Sequence, residues 1–253
     1  MSKIIIGDCL KEMKKMSSNC IDLTVTSPPY DTLRDYKGYS FDFHNIAKEL
    51  YRVTKKGGVV VWITSDIVKS GSETGSSFKQ ALYFKDIGFR LHDTMIYKKK
   101  GSSLPDKTRY YQNFEYMFVL SKGVPKTINL IKDRKNKTEG KIQQHHCRNK
   151  KTGEMEYYDK WITPSHGKRF NVWEISEAYM GGTKDKIAYE HPATFPEDLA
   201  KDHIISWSNE GDFVLDPFAG SGTTLKMAKQ LNREYIGIEI SEEYGKIIEE
   251  RLK

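Results

Sequence analysis

Long apolar runs are missing from this sequence. The longest strictly apolar stretch is Val59 to Ile63, far too short to cross a bilayer, and Ile4 to Ile6 lacks the length of a signal-peptide core. A soluble, cytoplasmic protein with no membrane partner is the expectation. Cysteine is scarce too: Cys9, Cys20 and Cys147 make neither a disulfide framework nor a zinc pattern, which suits a reducing compartment. "HHC" at 145 to 147 has no second ligand pair, so a surface loop and no metal are expected there. No GxxxxGK[ST] phosphate loop occurs. Acidic residues fall short of basic ones, 34 against 41, for a net charge of +7. Such a balance favours an anionic partner such as nucleic acid.

The positive excess is local. Between Ser121 and Phe170 stand thirteen Lys or Arg and five Asp or Glu, so this fifth of the chain carries slightly more than the whole net charge. Its hydrophobic periodicity is weak, and the expectation is an insert or a solvated, partly disordered loop, with Tyr157, Tyr158 and Trp161 as candidate stacking surfaces. The remaining length suffices for one large α/β domain.

Elsewhere helical and strand patterns alternate. Asp8 is placed to cap a short helix with Leu10, Met13 and Met16 on one face, before a strand through Ile21, Leu23 and Val25 that delivers "TSPPY" at 26 to 30. A second helix turns Ile46, Leu50 and Val53 inward, stops at Gly57 and Gly58, and leads into "VVVWITS" at 59 to 65. A helix around Phe78, Leu82 and Ile87 precedes "RLHDTMIYKK" and "NFEYMFVLSK", which read as an antiparallel hairpin. Beyond the basic stretch, a helix opens at Pro196 and is closed by Gly211. The strand "DFVLDPF", a helix from Thr223 to Leu231, the strand "EYIGIEI" and a helix capped by Ser241 follow. This alternation predicts a doubly wound, mostly parallel sheet.

"FVLDPFAGSGTT" at 213 to 224 breaks a strand at Asp216-Pro217 into a glycine-rich turn that starts a helix, where Gly220 and Gly222 allow a ligand close to the backbone. Glu239 lies nineteen positions beyond Gly220, at the end of the next strand, where a carboxylate grips ribose hydroxyls. Leu225 stands where a dinucleotide fingerprint needs its third glycine, which disfavours a pyrophosphate ligand and hence a dehydrogenase. The pattern fits a nucleoside cofactor.

Taken with TSPPY, these stretches resemble the β class of amino-group DNA methyltransferases, in which the catalytic motif precedes the target-recognition region and the cofactor motif follows it. The resemblance runs nearly end to end through "IGDCL" at 6 to 10, "TSPPY", "LRDY" at 33 to 36, "LYRVTKKGGVVVW" at 50 to 62, "FEYMFVLSK" at 114 to 122, "NVWEI" at 171 to 175, "HPATFPEDL" at 191 to 199, "DPFAGSGTT" at 216 to 224 and "YIGIEI" at 235 to 240. It implies a Rossmann-like methyltransferase fold with a catalytic half at 1 to 120, a basic target-recognition insert at 121 to 170 and a cofactor half at 171 to 253. S-adenosylmethionine is the implied cofactor and double-stranded DNA the implied partner. The implied setting is bacterial modification, paired with a restriction endonuclease or acting alone. Family members often dimerise.

Residue by residue, Ser27, Pro28, Pro29 and Tyr30 resemble the catalytic motif, and serine at its first position usually goes with N4-cytosine, aspartate with N6-adenine. Asp216, Phe218, Gly220, Gly222 and Thr223 resemble the turn around the cofactor's amino acid part, and Glu239 the ribose carboxylate. Asp8 is either the contact to the cofactor adenine or only a helix cap. His191 and Pro192 open the segment resembling the remaining pocket wall, His191 being alternatively a helix-entry residue. Arg34 and Tyr36 lie where relatives have a loop over the substrate. DNA contacts are expected from them and from Lys132, Arg134, Lys135, Arg148, Lys150, Lys151, Lys168 and Arg169. Three rival readings stay open: N6-adenine methylation, RNA as substrate, and an inactive DNA-binding or partner subunit.

Overall fold

The apolar run Val59 to Ile63 is buried on both sides, which is why it reads as continuous rather than alternating. In the computed structural model, which describes residues 2–29, 41–101, 107–178 and 181–253, it forms the middle of a large sheet. The elements are β1 (Lys3–Ile6), α1 (Cys9–Lys14), β2 (Ile21–Thr26), α2 (Phe43–Val53), β3 (Thr54–Thr64), β4 (Val68–Lys69), β5 (Ser72–Glu73), α3 (Ser76–Asp86), β6 (Arg90–Lys99) and β7 (Phe114–Ser121). Then come β8 (Arg134–Lys135), β9 (Ile142–Arg148), β10 (Met155–Ile162), β11 (His166–Gly167), β12 (Val172–Ile175), a 3-10 helix (Lys186–Glu190), α4 (Glu197–Trp207), β13 (Phe213–Asp216), α5 (Thr223–Gln230), β14 (Glu234–Glu239) and α6 (Glu242–Arg251). Contacts divide the chain into one unit of Met1–Asn129 with Asn171–Lys253 and another of Leu130–Phe170.

Among the described residues, the larger unit holds an eight-stranded sheet in the order β1-β14-β13-β2-β3-β7-β6-β12. β7 pairs antiparallel with β3 and with β6, and the other neighbours pair parallel. The expected doubly wound sheet and its β6–β7 antiparallel pair are therefore present. Helices cover both faces. Met13, Leu50 and Phe84 of α1, α2 and α3 join Val60 and Trp62 in one core, while Leu199, Ile204 and Met227 of α4 and α5 join Val59 and Val61 in another. From β2 the chain winds through α2 to β3, and from neighbouring β13 through α5 to β14, in opposite directions across the sheet. That reversal opens a crevice at the carboxyl ends of β2 and β13.

Several local expectations change. α2 ends at Val53, not at Gly57 and Gly58: the Thr54 hydroxyl donates to the Leu50 carbonyl at 2.6 Å, and β3 starts at once. Both glycines lie within β3. A Cβ on Gly58 would stand 2.9 Å from the Asp22 carbonyl, where the β2 register shifts. On α3, Phe78 and Leu82 are exposed and Gln80, Ala81 and Phe84 are buried, because the Trp62 Nε1 donates to Gln80 at 2.8 Å and draws that face inward. α4 ends at Trp207, and Gly211, at φ +82°, serves the turn into β13. Leu225 explains its own anomaly. Its side chain fills the space that a Cβ on Gly237 of β14 would need, so the glycine that lets helix approach strand sits on the strand.

The smaller unit is not a structureless loop. β9 and β10 form an antiparallel hairpin, and β8 pairs with β11. β10 is exposed along its whole length, so the pairing rests on backbone hydrogen bonds and leaves little apolar alternation to read. No described helix is long and apolar enough to cross a membrane.

Gly237→Ala drives a methyl group into Leu225 and is expected to destabilise the protein by about 1–3 kcal/mol in urea unfolding. Adding Leu225→Ala should return part of that loss, so the two changes cost less together than their sum.

Candidate active site

Both sequence motifs emerge at the crevice. Val214 and Leu215 of β13 stand opposite Leu23 and Thr24 of β2, so Asp216 arrives beside Thr26, the residue before Ser27. The Thr26 hydroxyl donates to Asp216 Oδ1 at 2.7 Å, and the Phe218 N–H donates to the same oxygen at 3.1 Å. One carboxylate thus ties the end of the Ser-Pro-Pro strand to the start of the glycine turn. Burial pushes the Asp216 acid up from 3.8 to about 6, against hydrogen bonds from Thr26, Phe218 and Thr224 that pull it down. Ser27 and Pro29 are partly exposed and Pro28 is buried. The Phe218 ring packs edge-on to Phe41 and Trp62 at 5.7 and 6.3 Å. Tyr30, Arg34 and Tyr36 lie outside the described residues.

Glu239 ends β14 and is 8 % exposed. Its Oε2 accepts from the Gly220 N–H at 2.8 Å and its Oε1 from the Ser241 N–H at 2.9 Å. Burial raises its pKa while these backbone donors oppose the rise. Each oxygen keeps lone-pair capacity for a hydroxyl donor. Ile6 pairs with Glu239 in register, so Asp8, just beyond β1, comes to the same edge, where its side chain caps α1 by accepting from the Lys11 N–H at 2.9 Å. Between them Cys9 has its thiol pushed up to about 12 by burial and then by Asp8, which keeps it protonated.

Gly220 and Gly222 hold φ of +53° and +79°, a region that glycine enters without strain. A Cβ on Gly220 would lie 3.1 Å from the His191 ring, and one on Gly222 would lie 2.9 Å from Ile248 of α6. Their close approaches are thus to protein. His191 follows the 3-10 helix rather than opening a helix, and its ring meets Tyr244 at 4.4 Å beside the glycine turn. Pro192 is exposed next to it. Thr223 is buried, and its hydroxyl accepts from Arg251 at 2.9 Å.

That arginine was not legible as a site residue. Its buried guanidinium donates to the Ser221 carbonyl at 2.7 Å, to Glu197 Oε1 at 3.0 Å and to Asp185 Oδ2 at 3.0 Å, and Lys226 joins both carboxylates at 2.8 and 2.6 Å. Burial opposes ionisation of Asp185, but hydrogen bonds from Lys226 and Arg251 hold its carboxyl below the usual range. An arginine closing the last helix reads in sequence only as a partner of the helix dipole.

In the smaller unit, Lys132, Lys135, Arg148, Lys150, Lys151 and Lys168 are exposed. Lys150 and Lys151 occupy the turn between β9 and β10, which Asn149 shapes by accepting from the Lys151 and Thr152 N–H groups at 2.8 and 3.2 Å. Two of the expected DNA contacts are engaged within the unit. Arg169 pairs with Asp133 at 2.5 Å, and Arg134 donates to the Lys168 carbonyl at 3.1 Å and stacks on Phe170. Exposed Tyr157, Tyr158 and Trp161 lie on β10.

Residues 21–250 match the family described as DNA methylase. The chain is 61 % identical over 244 residues to the orphan methyltransferase M.BamHII of Bacillus amyloliquefaciens, covering 95 % of this chain and 92 % of that one. Among solved structures it is similar to the PvuII DNA methyltransferase (cytosine-N4-specific), with a TM-score of 0.71 at 22 % identity over 99 % of this chain and 86 % of that one. It is also similar to TTHA0409 of Thermus thermophilus in complex with S-adenosyl-L-methionine, with a TM-score of 0.67 at 22 % identity over 100 % of this chain and 93 % of that one.

Two outcomes are expected. A folded-state pKa raised above the unfolded one contributes stability below about pH 4 that is lost as pH rises through about 6. The stability of wild type relative to Asp216→Asn, followed by urea unfolding from pH 4 to 7, should therefore decline as pH rises. Arg251→Met leaves Asp185 and Glu197 with Lys226 as their remaining cation and should lower stability by about 1–3 kcal/mol, the cost of the lost buried hydrogen bonds, with Arg251→Lys recovering only part because it lacks the fork.

Proposed function

Because the chain belongs to the DNA methylase family, we propose that it transfers the methyl group of S-adenosylmethionine to the exocyclic N4 amine of a cytosine turned out of double-stranded DNA. The observation that carries this reading is the Thr26–Asp216 hydrogen bond, which sets Ser27-Pro28-Pro29 beside the glycine turn at the switch point of the sheet. An exocyclic amine is a poor nucleophile because its lone pair is delocalised into the ring. Acceptors that hold its protons favour the pyramidal form: the Ser27 hydroxyl and the Pro28 carbonyl take that role, and the prolines fix the backbone direction. Tyr30 stacks on the base. In-line transfer then needs alignment and no covalent enzyme intermediate, in keeping with the protonated Cys9.

The donors and acceptors at the carboxyl edge fit the cofactor. Glu239 can take a ribose diol on the lone pairs that Gly220 and Ser241 leave unused, Asp8 stands at the neighbouring strand end for the adenine amine, and the turn from Asp216 and Phe218 to Thr223, walled by His191 and Pro192, receives the amino acid part. When bound, S-adenosylmethionine supplies a methyl group made electrophilic by its sulfonium. In the smaller unit, Lys132, Lys135, Arg148, Lys150, Lys151 and Lys168 meet phosphates, with Arg134 and Arg169 shaping that surface from within. Arg34 and Tyr36 contribute further DNA contacts. The enzyme works in bacterial DNA modification, either alone, as the word orphan in the name of its 61 % identical relative suggests, or beside a restriction endonuclease. A homodimer is part of this reading.

Purified protein incubated with unmethylated genomic DNA and S-adenosylmethionine is expected to yield N4-methylcytosine in nucleoside mass spectrometry. Ser27→Ala should reduce the yield by about a hundredfold, the cost of losing one positioned hydrogen-bonding group. N6-methyladenine in its place would overturn the base assignment and leave methyl transfer standing, whereas no methylated DNA base at all would overturn the activity.

A further inference from the structure

The carboxyl edge of the sheet carries a second chemical feature, beyond the crevice. Tyr110 is 101 % exposed and Tyr111 is 54 % exposed, side by side on the segment that leads into β7. This segment is pinned on both sides. The Arg109 guanidinium donates to the Gly71 carbonyl, the Gln112 amide donates to the Ser65 hydroxyl at 3.0 Å, and the Lys99 N–H donates to the Asn113 carbonyl at 2.7 Å. Gly71 lies at the tip of the β4–β5 hairpin, where Ser70 and Gly71 both hold positive φ, as a two-residue type I′ turn requires. Three anchors thus present a fully exposed Tyr110 ring beside a half-buried Tyr111.

Their position relates them to the catalytic motif. β2 and β7 both pair with β3, with Thr26 opposite Trp62 and Trp62 opposite Phe118. The amino end of β7 therefore lies at the same edge as Ser27, two strand spacings or about 10 Å across the sheet and three residues, about 10 Å, further out along the strand. Lys69, Lys100 and Lys107 are exposed on this hairpin and connection against one exposed carboxylate among the described residues, Glu73 of β5, while Lys98 and Lys99 are neutralised by Glu174 and Glu115. The surface is thus basic and aromatic at once, the combination that engages phosphates and base faces.

Resting on the reading of a flipped target base, we propose that Tyr110 is a stacking wedge: it enters the duplex where the target nucleotide has left and stacks on the bases lining the gap, while Arg109, Gln112 and the β4–β5 hairpin hold it in place. Extrusion of a paired base costs unstacking and unpairing, and a ring that fills the gap offsets that cost and slows return of the base. Tyr110 is a positioning residue, since it acts through the DNA and touches neither amine nor cofactor.

The test uses a duplex carrying the methylation site mapped with wild type, paired normally or with the target base opposite an abasic site. With the normal duplex, Tyr110→Ala should lose about five- to a hundredfold in kcat/KM, the range of one lost base–aromatic stack, and Tyr110→Trp should retain activity. Opposite the abasic site, where no pairing holds the base in, Tyr110→Ala should stay within about threefold of wild type, because only the flipping cost has been removed. As a readout without turnover, pyrrolocytosine at the target, which still pairs with guanine, should brighten on binding of wild type and far less on binding of Tyr110→Ala. Equal losses on both duplexes, or no loss on either, would overturn the wedge while leaving methyl transfer intact. Wild type that methylates no DNA would overturn the underlying reading and the wedge with it.

Discussion

A buried carboxylate without a buried cation beside it is an expensive thing to fold around, and the crevice is organised about one. Asp216 sits at the end of β13, where among the described residues hydrogen bonds compensate its charge, and burial outweighs them enough to raise its pKa to about 6. Its Oδ1 accepts from Thr26 on β2 and from Phe218 in the following turn, so two segments 190 residues apart in sequence share one acceptor. Ser27 and Pro28 follow Thr26 directly; Ala219 and Gly220 follow Phe218. The position of the amine-binding edge relative to the cofactor turn depends on that shared atom.

A second network holds the turn from behind. Buried Arg251 ties buried Ser221 and Thr223 of the turn to the partly exposed Glu197 on α4 and Asp185 ahead of the 3-10 helix, and Lys226 pairs with both carboxylates. On the strand side, Leu225 enters the space left at Gly237, and Glu239 at the end of that strand holds the Gly220 N–H. The glycine turn is therefore fixed from α6, from β14 and from β13, and its positive-φ residues serve this packing as much as any ligand.

How much of this was readable in sequence depends on whether each feature rests on periodicity or on contacts. The parallel sheet, the antiparallel β6–β7 pair and the Asp8 and Ser241 caps follow from alternation and capping residues, which are local signals. α2 ends earlier than expected because Gly58 marks a close approach to β2 and Gly57 one to Val124 and Lys126, and glycine looks the same at a helix stop and at an irregular strand. On α3 the apolar residues Phe78 and Leu82 do not mark the buried face, which is chosen by Trp62 bonding to Gln80, a contact between residues eighteen apart. The smaller unit escaped notice as paired strands because its hairpin has no apolar face. Within the site, Asp216, the glycines and Glu239 stood out by type and spacing. Arg251 and Thr26 did not, since their roles exist only once distant strands and helices meet.

The central claim is that Asp216 and Thr26 act as one unit that sets the Ser-Pro-Pro edge against the cofactor turn. A double-mutant cycle of Thr26→Val and Asp216→Asn, read as kcat/KM for DNA methylation with stability followed in parallel, tests it most directly. The account predicts a coupling of about 1–3 kcal/mol in the activity term, with the double variant little worse than the more damaging single one. Additive losses, each change acting as though the other residue were absent, would contradict it.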